Sequence, residues 1–386
     1  MRVLQTIYDL TAMAGGPSTC VSDIMQGLYD IKAPVDLLTV KPSDANVKNL
    51  GDGSEWLKEV AYDYKTPLRY SRNFRKALAN SNYDLYHANT IWTDPIHSTC
   101  VHARKASKPY VLSPHGMLYP TALAISRWKK IPMLKLWFRK DIMMATCLHA
   151  TSRQEADHCR TFGYKGPIAI IPNAVVFPKG VELKQNNYRD VKGRRQIGFL
   201  GRLHPIKKVE NIIYAIDKLS SEQQNLVSLQ IIGKYDDQYE QWLKDEVKRL
   251  GLEDCVEFVG FVSGKEKYER LSKLSALMVP SVQENFGMIV PEALICGTPV
   301  YASLGTPWEE LNTIHCGWWK DNSPETIADV IHEIVTKSDE EILQMGAVGR
   351  QLMKDKYEQH KVARMMFDLY RWILGETGKP DFVFME

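Results

Sequence analysis

The sequence predicts an α/β chain of two doubly wound domains in tandem, facing each other across a cleft. Three observations predict it. Short apolar, β-like runs alternate with helical stretches along most of the chain, the pattern of parallel sheets joined by crossover helices. The alternation stops at a polar, aperiodic segment, FPKGVELKQNNYRDVKGRR, and then restarts. With 386 residues, 44% hydrophobic and 25% charged, the chain has material for two or three ordinary globular cores.

In the first half the strand-like runs are RVLQTI, VDLLTV, YDLYHA, PYVLS, CLHATS and IAIIPN. In the second they are QIGFLGRL, SLQIIGK, VEFVGFV, SALMVPS and PVYAS. Beyond Asp321 only helical segments are expected, the last over about 358–374. The reading is therefore a first domain over 1–178, a linker over 179–195, a second domain over 196–357 and a closing segment over 358–386. Ligands of such sheets lie beyond the carboxyl ends of the strands.

Composition excludes several classes. A formal charge of +3 is too small to argue for nucleic-acid binding. Seven cysteines, odd in number and never in a C-x-x-C pair, read as reduced thiols in a cytosol-like compartment, with neither a disulfide frame nor a zinc site. MRVLQTIYDL runs directly into a strand with no signal-peptide architecture, and no apolar run is long enough to span a membrane. A cytoplasmic location is the expectation.

The most informative stretch is MVPSVQENFGMIVPEALICGTPVYAS, a strand, a loop, a helix of about 287–296, a turn and a second strand. Glu284 lies in the loop just past the carboxyl end of the strand, and Glu292 falls eight residues later in an apolar helix. A carboxylate there needs a polar partner. Two readings fit the pair. In one, Glu292 complements the helix dipole and Glu284 is solvated. In the other, both accept hydrogen bonds from vicinal hydroxyls while the amides around Phe286, Gly287 and Met288 receive an anion or a hydroxyl-rich group.

GFLGRLHPIKKVENIIYAI tips the balance toward the second reading. A strand ends in Gly201-Arg202, a Pro-containing loop follows, and Lys207 stands at a helix start. Arg202 can fork two phosphate oxygens and Lys207 supplies a point charge. Two cations and a helix terminus are what a departing diphosphate needs where no metal assists. Asp236 and Asp237 look like a metal motif but have no ligand-like companions, so no metal site is expected.

In the first half AGGPS places Gly15 and Gly16 in a turn that opens a helix, without the G-x-G-x-x-G spacing of a dinucleotide site. His115 follows the strand YVLS and precedes Gly116, a position suited to a sugar contact. His87, His97 and His149 read as hydrogen-bonded structural residues, and Asp94 as a turn or cap or a second cleft residue. SRWKKIPMLKLWFRK, over 126–140, holds six cations, no acid and interleaved aromatics, interrupted by Pro132. It reads either as a surface lying on anionic lipid or as an ordinary helix with snorkelling cations.

These elements together resemble the family 4 retaining glycosyltransferases of GT-B architecture, two Rossmann-like domains facing across a cleft. The resemblance rests on GRLHPIKK, the E-x7-E stretch ENFGMIVPE and CGTPV, supported in order by AGGPS, SPHGML, ATSRQE and IPNA. It implies that Arg202 and Lys207 bind the donor diphosphate. It further implies that Glu284 and the segment Asn285, Phe286, Gly287 and Met288 hold the transferred sugar, and that Glu292 binds the ribose. Gly15 and Gly16 would border the diphosphate, His115 would approach the sugar, and the last helix would cross back onto the first domain. Two positions depart from the family pattern: Lys208 replaces a glycine after Lys207, and Ala174 replaces a glycine after Pro172-Asn173.

The expected activity is metal-independent, retaining transfer of a hexose-type unit from a nucleoside-diphosphate sugar, UDP or GDP undecided, with no other cofactor. The expected acceptor is a glycan or lipid-linked glycan of surface-polysaccharide or lipopolysaccharide assembly, with peripheral contact to the membrane through 126–140. In that family same-face attack is assisted by the leaving phosphate, and no residue stands out as a nucleophile. A sugar-nucleotide epimerase of the same fold and a non-catalytic nucleotide-sugar-binding protein are the alternatives.

Overall fold

The structure, a computed structural model, describes residues 1–178, 188–234 and 236–385. The chain divides into two compact units. One comprises Met1–Val176 and the segment from Tyr357 on, and the other Phe177–Lys356. Of the segment expected to link domains, 179–187 lies outside the described residues. Its last residue, Arg195, instead opens a strand and is fully buried.

The first unit is built on β1 (Val3–Thr6), β2 (Val35–Val40), β3 (Leu57–Val60), β4 (Leu85–Asn89), β5 (Tyr110–Ser113), β6 (Cys147–Ala150) and β7 (Ile168–Ile170). The second is built on β8 (Arg195–Leu200), β9 (Val227–Ile232), β10 (Val256–Gly260), β11 (Ala276–Val279), β12 (Val300–Ser303) and β13 (Gly317–Lys320). The short strand β14 (Val383–Phe384) returns to the first unit. The sheets run β14-β7-β6-β5-β4-β1-β2-β3 and β10-β9-β8-β11-β12-β13. Every pairing is parallel except β14 on β7.

Most strands form where apolar runs are buried on both faces, as in β1 (VLQT), β11 (ALMV) and β12 (VYAS). Three strands were not expected. β3 (LKEV) is an edge strand with little burial, β13 carries two tryptophans, and β14 contradicts the expectation of helices alone beyond Asp321. β14 is held by antiparallel pairing of Val383 with Ala169 and of Phe384 with Ile168, which the local pattern does not encode.

Each sheet reverses its winding between its first and fourth strands, β1 and β4 in one unit and β8 and β11 in the other. At such a switch point the crossover helices diverge to opposite faces and leave a crevice at the carboxyl edge. The helix Gln359–Ile373 packs on Gly16–Asp30 and closes one face of the first sheet with Val362, Ala363, Met366 and Leu369. Gly27 makes that contact possible: a Cβ there would stand 2.9–3.1 Å from Gln359 and Ala363.

Candidate functional site

In the second unit the loops that leave β8 and β11 are stitched together. Val282 N–H donates to the Ile206 carbonyl at 2.8 Å, and Lys207 is ion-paired with Glu284. The Ser281 hydroxyl donates to the same Glu284 oxygen at 2.8 Å. Lys207, expected to meet a phosphate, and Glu284, expected to meet a sugar, are here each other's partner. Their side chains are only 19% and 14% exposed, so each charge is balanced in a partly dry edge. Arg202 stands exposed on the same loop.

Local geometry corrects the expected helix starts. Lys207 ends a single 3-10 turn, Pro205–Lys207, and the helix begins at Val209. Between them Lys208 takes left-handed dihedrals, φ 53° and ψ 41°, the conformation a glycine would supply without strain. The later helix is Ile289–Ile295 rather than 287–296, because Gly287 has φ 73° and so terminates the loop. Val290, Pro291, Ala293, Leu294 and Ile295 are buried. Pro291 is tolerated in the first turn, where its N–H would lack a helical partner.

A buttress holds the loop over 284–288. Glu284 N–H donates to the Gly305 carbonyl at 2.9 Å. The Trp308 indole donates to the Phe286 carbonyl at 2.5 Å, with the two rings 5.0 Å apart edge to face. A Cβ on Gly305 would fall 2.0 Å from the Val282 carbonyl oxygen, so only glycine allows this approach. The side-chain oxygen of Asn285 is buried without a hydrogen-bond partner, an acceptor left over in the loop. Glu292 finds its partner in Lys267 of helix Gly264–Leu271 at 2.8 Å. Lys267, Gly305 and Trp308 went unnoticed in the sequence; their partners lie 25, 21 and 22 residues away, and no motif marks them.

In the first unit Gly15 caps helix Gly16–Asp30 with φ 95°. A Cβ on Gly15 or Gly16 would meet nothing within 4 Å, so the space beside both is open. His115 and Gly116 follow β5 with φ 51° and 76°, and Thr90 and Trp92, following β4, have φ 76° and 75°. Non-glycine residues rarely occupy this region, and such strain collects at functional sites. The buried Glu155 carboxylate takes the Gly116 N–H at 2.5 Å and the Thr151 N–H at 2.7 Å, which pins the turn. His115 Nε2 lies 3.2 Å from Asn89 Oδ1. Burial, with His149 nearby, pushes the His115 pKa down to about 3.

His87 and His149 are fully engaged inside this unit: His87 with Tyr370 and Ser113, His149 with Ser113 and the Ile171 carbonyl. Burial, with the charges of neighbouring His149 and His115, holds His87 well below its usual pKa. Burial brings His149 to about 4. His97 pairs with buried Asp141 at 2.6 Å, and Asp94, in the first turn of its helix, pairs with Arg75. A pocket of about 450 Å³ opens at the carboxyl edge of β1, β2 and β3, lined by Tyr8, Tyr62, Tyr64, Asp9, Lys41 and Arg69 among others. The Arg69 guanidinium lies 4.6 Å over the Tyr8 ring and 3.1 Å from Asp9.

The basic segment is helical from Arg127 on: Arg127–Met133, a π-helical turn Leu134–Phe138, then Arg139–Met143. Pro132 removes one N–H, and the wider turn follows it. Trp128 is 76% exposed and Leu136 68%. Among the described residues no helix is long and apolar enough to cross a membrane, and no group of three or more His, Cys, Asp or Glu is placed to hold a metal.

Two doubly wound sheets, in one of which cations and carboxylates pair at the carboxyl edge of the switch point, define a two-unit Rossmann-like class of α/β protein. The chain belongs to the GT-B glycosyltransferases of family 4. Residues 15–174 match the glycosyl transferase 4-like domain and 181–351 match glycosyl transferases group 1. An uncharacterized glycosyltransferase of Methanocaldococcus jannaschii is 29% identical over 191 residues, 48% of this chain and 47% of that one. The MMP alpha-(1->4)-mannosyltransferase of Mycolicibacterium hassiacum is 23% identical over 276 residues, 68% of this chain and 64% of its own. The chain thus matches about half to two thirds of the length of these relatives. Anabaena HepE, solved with UDP and glucose, shares the fold with a TM-score of 0.71 at 17% identity, over 96% of this chain and all of that one.

Proposed function

We propose that this chain is a retaining, metal-independent glycosyltransferase that moves a hexose-type unit from a nucleoside-diphosphate sugar to a glycan acceptor. The observation that carries the reading is the Lys207–Glu284 pair at the switch point of the second sheet, with exposed Arg202 on the same loop as Lys207. A diphosphate replaces Glu284 as the partner of Lys207, and sugar hydroxyls replace Lys207 as the partners of Glu284, so a nucleotide sugar satisfies both charges at once. The bond from the sugar to the diphosphate breaks as the acceptor oxygen bonds the same carbon, and the acceptor proton passes to the departing phosphate. Arg202 and Lys207 stabilise that charge. Glu292, released from Lys267, accepts ribose hydroxyls.

A saccharide acceptor is supported by the tyrosine-lined pocket of the first unit, whose Asp9 and Arg69 offset each other and whose volume of about 450 Å³ suits one or two sugar rings. A lipid-linked acceptor, of the kind used in surface-polysaccharide or lipopolysaccharide assembly, is supported by the exposed Trp128 and Leu136 among the cations of 126–140. Nothing in the site favours the epimerase alternative, and the relatives named above are transferases.

The test is a thermal-shift screen of UDP-, GDP- and ADP-sugars followed by nucleotide-release assays with and without glycan acceptors. Acceptor-dependent release from one donor is the expected result. Release without acceptor consumption, or no stabilisation by any nucleotide sugar, refutes it.

A further inference from the structure

Seven hydrogen bonds run in one direction through the first unit, from a backbone carbonyl to His115. The Ile171 carbonyl can only accept, so His149 donates to it from Nε2 at 2.8 Å. A neutral His149 then has an acceptor at Nδ1, which receives the Ser113 hydroxyl at 2.7 Å. Ser113 oxygen in turn receives His87 Nε2–H at 2.6 Å, and His87 Nδ1 receives the Tyr370 hydroxyl at 2.7 Å. Tyr370 oxygen accepts from Gln5 Nε2 at 2.9 Å, and Gln5 Oε1 accepts from Asn89 Nδ2 at 2.9 Å. Asn89 Nδ2 also faces the Thr6 carbonyl at 3.4 Å, which fixes the amide the same way round. Only Asn89 Oδ1 is left for His115, 3.2 Å from its Nε2.

The chain has no freedom at its members. Gln5, His87, Asn89, Ser113, His149 and Tyr370 are all buried. Reversing one bond would set two donors or two acceptors against each other in the buried interior. The cavity that several of them line measures about 20 Å³, room for little more than one water. Four strands and the closing helix each contribute members, so the arrangement belongs to the assembled sheet and not to any one loop.

We propose that Asn89 is a positioning residue that holds His115 as the Nε2–H tautomer, so that His115 offers its Nδ1 lone pair to a hydroxyl of the transferred sugar. The functional half rests on the reading of His115 as a sugar contact; the tautomer does not. His115 recognises a hydroxyl hydrogen there, and a sugar lacking that hydroxyl, or carrying a methyl ether, loses the bond.

The test uses the full chain with 15N-labelled histidine. Long-range proton–nitrogen spectra are expected to show His115 as a neutral Nε2–H tautomer throughout pH 6–8; an Nδ1–H form or an imidazolium overturns the proposal. Asn89→Leu is expected to release the tautomer and lower kcat/KM for the donor by roughly 10–100-fold, by analogy with the loss of outer-shell partners that orient metal-binding histidines. Asn89→Asp keeps an acceptor toward His115 but turns its second oxygen on Gln5 Oε1 and the Thr6 carbonyl, so circular dichroism must show it folded; the wild-type spectra test the tautomer whether or not either variant folds. The carboxylate of Asn89→Asp adds to Glu155 and opposes His149 and His87, the other titratable groups near His115, and is expected to bring His115 titration up into pH 5–8. An acid limb should then enter the rate profile. A folded Asn89→Leu with a mixed tautomer and unchanged kcat/KM overturns the functional half. Full activity in His115→Ala would show the sugar-contact reading to be wrong while leaving the tautomer assignment standing.

Discussion

Acidification should loosen the first unit well before the second. His87, His115 and His149 are held neutral by burial, His149 down to about 4 and His115 to about 3, against an ordinary value of 6.5. A histidine whose folded pKa is depressed binds its proton in the unfolded chain first. Stability is therefore complete above about pH 6.5 and falls as pH drops below it. The slope is about 1.4 kcal/mol per pH unit for each such group, so lowering pH to about 5 costs about 2 kcal/mol each for His115 and His149. Together they cost about 4 kcal/mol, a large part of a typical 5–15 kcal/mol stability, and His87 acts in the same direction. His360, raised by Glu358 and Asp30, acts in the opposite direction from the surface. In the second unit the shifted acids, Asp190, Glu246 and Glu333 among them, lie below their ordinary 3.8 or 4.5 and stay charged over this window. Native-state hydrogen exchange by mass spectrometry, at about pH 7.5 and 5, reads both units in one sample. Peptides over β4, β5 and β6 should lose protection relative to peptides over β11 and β12. Equal protection at the two pH values would refute burial of neutral histidines as the source.

The remaining predictions concern the second unit. Arg202→Ala and Lys207→Ala should each lower turnover about 10²–10³-fold, if each acts like an oxyanion-hole donor, with circular dichroism unchanged; near-normal turnover in both removes them from the mechanism. Lys208→Gly relieves the left-handed backbone at φ 53°. The strain relieved, about 1–2 kcal/mol, exceeds the entropy cost of glycine, about 0.5–1 kcal/mol, so Tm should rise by about 2 °C; a lower Tm counts against the strain. Gly305→Ala drives a Cβ into the Val282 carbonyl and should cost about 1–3 kcal/mol in a denaturant titration, with loss of nucleotide-sugar binding.

How far the site was legible follows from sequence distance. Glu284 and Glu292 stood out because one strand, loop and helix carry both, and β8 to β12 stood out as apolar runs of strand length. The partners did not. Lys207 meets Glu284 across 77 residues and Tyr370 meets His87 across 283. Sequence spacing has no term for contacts made by sheet order. The boundary at 195 failed for a related reason: Arg195 looks like the end of a polar tract, yet it opens β8 and pairs with Asp339 at 2.6 Å. Strands β3 and β14 were missed because edge strands need neither two apolar faces nor length.

The two sheets share a strand order about their switch points, β3-β2-β1-β4-β5-β6 and β10-β9-β8-β11-β12-β13, but furnish that edge differently. In the second unit the loops after β8 and β11 carry Arg202, Lys207 and Glu284. In the first, the residues at the ends of β4, β5 and β6 form a neutral chain of amide, hydroxyl and imidazole groups, and the nearby pocket balances Lys41 and Arg69 against Asp9 and Asp44. A charged ligand gains from the first kind of edge and little from the second. Salt at several tenths molar shortens the screening length to a few ångströms, so it should weaken donor binding while leaving the KM of a water-soluble saccharide acceptor nearly unchanged. Titrating KCl against both constants checks this. Equal salt slopes would mean that the acceptor site is also built for charge, and the division of labour argued from the two sheets would fail.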